Sequence, residues 1–88
     1  MNQKLTLNDG TVLENAHAIV AVNVLWVYID TGSTLAEAFE LLNNPEKTEN
    51  IRADEFGTET MYSGYTDLFS IQREENGQIN AGLKKAVN

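Results

Sequence analysis

The 88-residue chain is 42% apolar and 22% charged, the balance of a globular protein and not of a disordered one. Six basic residues stand against 13 acidic ones, a formal net charge of −7, which repels nucleic-acid backbones and anionic membranes. There is no cysteine, so disulfides, thiolate metal sites and cysteine nucleophiles are excluded together.

In chain order, Leu5, Leu7, Val12 and Leu13 flank Asn8-Asp9-Gly10, a hairpin signal because these turn residues tolerate positive φ. Ala18 to Val22 and Val24 to Ile29 are rich in β-branched and aromatic residues and read as strand. Asn23 between them marks either a hairpin turn or a bulge. Leu25, Val27 and Ile29 share one face, with Trp26 and Tyr28 on the other; two apolar faces predict a central strand. Asp30-Thr31-Gly32-Ser33 ends it. Thr34 and Glu37 then have capping-box spacing. Leu35, Ala38, Phe39 and Leu42 form the stripe of an amphipathic helix over about 34–43, stopped by Asn43-Asn44-Pro45. Pro45 to Thr48 allows one further short turn capped by Asn44. Ile51 to Ala53 and Thr58 to Tyr62 are expected as hairpin strands around Glu55-Phe56-Gly57, with Gly64 breaking the run. Tyr65 to Gln72 and Gln78 to Leu83 flank Asn76-Gly77, which predicts a type I′ turn. Residues 1–88 are expected to form one α+β domain, a mostly antiparallel sheet of about five to seven short strands with one helix packed on it.

Catalytic chemistry finds little support. His17 is the only imidazole, and it lies between alanines in a strand, without the ligand spacing of a zinc site. The close carboxylate pairs Asp54/Glu55 and Glu74/Glu75 fall at predicted turns, where charges are ordinarily solvated. The isolated glycines make no phosphate-cradling loop. Trp26, Tyr28, Tyr62, Tyr65 and Phe69 are better read as cross-strand packing than as a nucleic-acid platform, which needs a basic groove. A non-enzymatic protein without metal or cofactor is expected. The N-terminal residues lack the apolar run of a secretory signal, and the most apolar segment, Ala16 to Ile29, is too short to span a bilayer. A soluble, cytosolic protein is expected.

Charge is unevenly spread. Residues 30–75 hold eleven acids against Lys47, Arg52 and Arg73, a net of −8, whereas residues 76–88 carry only Lys84 and Lys85. Glu37, Glu40, Glu46, Glu49, Asp54, Glu55 and Glu59 are therefore the candidate partner-binding residues. Together they would make a negative patch that meets the basic groove of a nucleic-acid-binding protein.

The stretches Leu7 to Thr11, Leu35 to Leu42 followed by Asn44 to Thr48, Gly64-Tyr65-Thr66, and Ile79 to Lys85 resemble small open reading frames of phages and prophages in Gram-positive bacteria. The resemblance covers most of the chain but supplies no catalytic or ligand residues. It implies one of two roles: a virion or tail-module accessory protein, or an inhibitor of host defence such as an anti-CRISPR protein. The resemblance favours the first and the charge distribution the second. The expected function is the inhibitor, acting in the host cytosol on a defence protein such as a Cas nuclease, without touching nucleic acid or membrane. The tail-module role is the alternative.

Overall fold

The computed structural model describes residues 3–30 and 33–86. In chain order these form β1 (Lys4–Thr6), β2 (Val12–Glu14), β3 (Ala16–Ala21), β4 (Val24–Ile29), α1 (Leu35–Leu42), α2 (Pro45–Thr48), β5 (Asn50–Glu55), β6 (Thr58–Ser63), β7 (Asp67–Arg73) and β8 (Ile79–Lys84). All pairings are antiparallel, in a first sheet ordered β2-β1-β5-β6 and a second ordered β3-β4-β8-β7. The stop expected at Asp30 to Ser33 includes Thr31 and Gly32, which lie outside the described residues.

The α+β expectation holds in outline, with one sheet and one helix corrected to two sheets of eight strands and two short helices. The reason is local. Asn15, at φ 54°, turns the chain between β2 and β3, so adjacent strands join different sheets. Asn tolerates this left-handed conformation better than residues with bulkier side chains. β3 then lies against β1 and β5 across the core. Its outer edge is capped from the other sheet: the Ala18 amide donates to Glu55 Oε1 at 3.3 Å, and the Tyr62 hydroxyl donates to the Ala18 carbonyl at 3.5 Å. A strand edge otherwise open to pairing is thereby closed.

The turns divide into two kinds. Val22 and Asn23, at φ 52° and 62°, and Phe56 and Gly57, at φ 49° and 83°, are two-residue turns with positive φ at both positions, as type I′ geometry requires. Asn23 thus belongs to a hairpin and not to a bulge. At Asn76-Gly77 the type I′ expectation is corrected. The Gly77 amide bonds the Glu74 carbonyl at 2.9 Å, so the turn is centred on Glu75 and Asn76, and Gly77 follows at φ 91°. Gly10 ends the β1–β2 loop in the same way, bonding Leu7 at 2.9 Å.

Alternation builds the core. Leu25, Val27 and Ile29 of β4 are buried, as are Ile79, Ala81 and Leu83 of β8, with Leu5, Ile51 and Ala53 facing them from the first sheet. Each fully buried large aliphatic contributes about 1.5–3 kcal/mol. β4 is central in its sheet, as its two apolar faces predicted. On α1 the buried face is Ala38 and Leu42, with Leu41 partly buried beside them. Leu35 and Phe39 of the expected stripe stay 38% and 44% exposed. Thr34 and Asn43 cap α1 at its two ends, and both halves of the capping box form. Among the described residues, no helix is long and apolar enough to cross a membrane.

Candidate functional site

The acidic residues singled out from sequence sit in three structural settings. Glu37 and Glu40 lie on α1, and Glu46 and Glu49 on α2 and its C-cap; the two helices pack together at one end of the molecule. Asp54 and Glu59 are directly opposed across β5 and β6, on the outward face of the first sheet, in a row with Lys4 and Glu14. Glu55 points the other way, toward β3. β5 separates the groups: from Glu49 to Glu55 the chain advances roughly 20 Å at the rise of an extended strand. Asp54 and Glu55 lie within this strand, not at a turn as predicted.

The helical end is built by a network of short polar side chains. Asn44 caps α2 by accepting from the Glu46 amide at 3.1 Å, and Pro45 starts the helix where no amide donor is needed. The Asn8 amide donates to the Lys47 carbonyl at 2.8 Å, and Asn8 Nδ2 donates to the Glu46 carbonyl at 3.0 Å. Asn50 Nδ2 donates to Asn8 Oδ1 at 3.0 Å, and Ser63 Oγ donates to Asn50 Oδ1 at 2.8 Å. These bonds fasten α2 to the β1–β2 turn. They border an open, shallow depression lined by Asn8, Asp9, Pro45, Glu46 and Glu49.

The carboxylates differ in how far they are already engaged. Asp9 pairs with Lys47 and also accepts from Thr11; the Lys47 hydrogen bond is the main cause of its pKa lying well below the usual carboxylate range. Glu37 is lowered by its hydrogen bonds with Thr34 in the capping box. Asp54 pairs with Arg52 at 3.4 Å. Glu55 caps β3, and Tyr62 beside it is raised, first by burial and then by the Glu55 charge. That leaves Glu40, Glu46, Glu49 and Glu59 with no ion pair among the described residues.

His17 stacks on Tyr28 with centroids 5.0 Å apart, and its Nδ1 is buried without a hydrogen-bond partner. No group of three or more His, Asp or Glu able to hold a metal ion occurs among the described residues. The aromatic residues separate by face. Tyr62 and Tyr65 meet edge to face at 6.5 Å, with Tyr65 buried. Trp26 and Phe69 meet at 5.9 Å on the outward face of the second sheet. Sequence reasoning overlooked the exposed residues around this second pair, Ile19 and Val22 among them. The signal available was the apolar character of both faces of β4.

No protein-family model, curated protein or solved structure matched the chain.

Proposed function

We propose that this chain is a non-enzymatic binding protein of the phage-inhibitor type, whose acidic helical end occupies a basic, nucleic-acid-binding surface of a host defence nuclease. The observation that carries this reading is the set of exposed carboxylates Glu40, Glu46 and Glu49 on two packed helices, none of them in an ion pair. The nearest lysine in the chain, Lys47, is engaged by Asp9, so the negative field of that end is not cancelled from within. Such a field speeds encounter with a basic partner and rejects acidic ones. The rigid Asn8–Asn50–Ser63 network keeps the carboxylates fixed in number and spacing before binding, which limits the entropy lost on association. The host cytosol is the corresponding location.

The decisive experiment is affinity capture from a host lysate at low and high salt, with the triple variant Glu40→Lys, Glu46→Lys, Glu49→Lys alongside. Glu37 is left intact because its reversal would also remove the α1 cap. Capture of a nucleic-acid-binding protein should weaken with salt and be lost in the variant. Full retention by a folded variant would sink the acidic-end mechanism. The second reading, a virion or tail-module accessory, draws on the apolar outward face of the second sheet; it requires the protein to copurify with assembled particles.

A further inference from the structure

The second sheet turns outward a set of residues that nothing in the fold covers. Read across β3, β4, β8 and β7, one row is Ile19, Trp26, Gly82 and Ser70. The rings of Trp26 and Phe69 meet over Gly82, which has no side chain to hold them apart. Phe69 reaches this face through the irregularity between Leu68 and Ser70, where β7 has an extra residue. Ile19 and Phe69 remain 55% and 44% exposed, and Val22 at the β3–β4 turn is 93% exposed. Contiguous apolar exposure of this kind marks a protein interface.

Charge selects the occupant. Of the strand residues turned outward here, only Asp67 and Lys84 are charged, and they are cross-strand partners of opposite sign. The excess of negative charge therefore resides on other surfaces. A nucleic acid would require cations along the aromatic row, and the one strand cation present, Lys84, already lies over the Phe69 ring at 4.6 Å. A second copy brings one near-neutral apolar face against another, and the carboxylates of the helical end and of the first sheet stay outside the contact.

We infer that the outward face of the second sheet is a homodimer interface, in which two copies pack sheet against sheet about a two-fold axis. Its size sets its strength. Four strands about 4.8 Å apart and six residues long offer roughly 300–400 Å² per copy, about half of what a stable interface buries. The dimer is accordingly weak, with a dissociation constant on the order of tens to hundreds of micromolar. The inference does not depend on the acidic-end reading, and salt separates the two. Dimerisation of two anionic molecules through a neutral apolar face strengthens as salt screens their repulsion, whereas docking on a basic partner weakens.

Sedimentation equilibrium over roughly 10 µM to 1 mM, spanning the expected constant, tests it. The wild-type mass should rise toward that of a dimer, more readily at high salt. Ile19→Glu should raise the dissociation constant at least tenfold, as should Val22→Glu, which lies at a turn and serves if the strand variant fails to fold. Met61→Glu, at a 58% exposed site on the outward face of the first sheet, should leave dimerisation unchanged. A wild type that is monomeric throughout overturns the inference, as does a Met61→Glu effect equal to that of Ile19→Glu. Micromolar quenching of Trp26 emission by a single-stranded oligonucleotide would assign the face to nucleic acid and overturn it equally.

Discussion

Gly82→Ala tests whether the Trp26–Phe69 pair is held in place by the missing side chain beneath it. A Cβ at residue 82 would stand 2.9 Å from Cε1 and Cζ of Phe69 and from Cζ3 of Trp26. Carbon atoms settle at about 3.5–4.0 Å, so both rings must retreat by roughly 0.6–1 Å. Phe69 is half exposed and can swing outward, but doing so loosens its edge contact with Trp26 and its contact with Lys84. Overpacking of this order costs about 1–3 kcal/mol, and replacing a strand glycine by alanine returns about 0.5–1 kcal/mol. The net expectation is a loss of about 1–2 kcal/mol, or roughly 4–16 °C in the thermal midpoint of a domain this small. Thermal unfolding followed by far-UV circular dichroism reads the loss, and near-UV dichroism reads the displaced Trp26. Combining Gly82→Ala with Phe69→Ala should recover part of the penalty, because the second change removes two of the three close contacts. An unchanged or raised midpoint in Gly82→Ala would refute the argument, since the rings would then be moving aside at no cost.

Val22→Asn should stabilise the protein by about 1 kcal/mol, because a β-branched residue at φ 52° is strained and its side chain, 93% exposed, packs against almost nothing; a urea midpoint no higher than wild type would contradict this. Asp9→Asn should lower stability at neutral pH and lose its effect in acid. The folded-state pKa of Asp9 is depressed, chiefly by Lys47, so its contribution is present above the ordinary carboxylate pKa and disappears as pH falls through the folded value. The difference between wild-type and Asp9→Asn urea midpoints should therefore shrink between about pH 5 and pH 2, and a difference constant over that range would refute the assignment.

Local signals were read correctly where the chain's own neighbours decide the outcome. The Thr34–Glu37 capping box, the Pro45 helix start and the alternation of β4 need only residues within a turn or a strand. They failed where the deciding contact is distant or where two turns share a sequence. Asn15 offers little sign that the chain changes sheets there. Asn76-Gly77 suits both a type I′ pair and the three-residue loop that the structure adopts. Leu35 and Phe39 keep helical spacing with Ala38 and Leu42, yet the buried side of α1 is rotated toward Leu41. The seven acidic residues lie within 23 consecutive positions, and β5 carries them to opposite ends of a sheet, a separation that composition alone does not reveal.

The same limit explains the second sheet's outward face. An apolar strand on both sides is expected of a strand buried on both sides, and equally of one that is buried on one side and uncovered on the other. For β4 the difference lies in where α1 goes. Its buried residues Ala38 and Leu42 join the core shared by the two sheets, so the chain's one amphipathic helix is committed to the inner side. Trp26, Ile19 and Phe69 then have no cover within the fold. Apolar residues kept on an exposed strand face cost solubility unless something covers them, whereas polar residues there would leave the inward half of β4 unchanged. The outward half of this strand is thus the part of the sequence that folding does not explain, and an interface is the physical reason to keep it apolar.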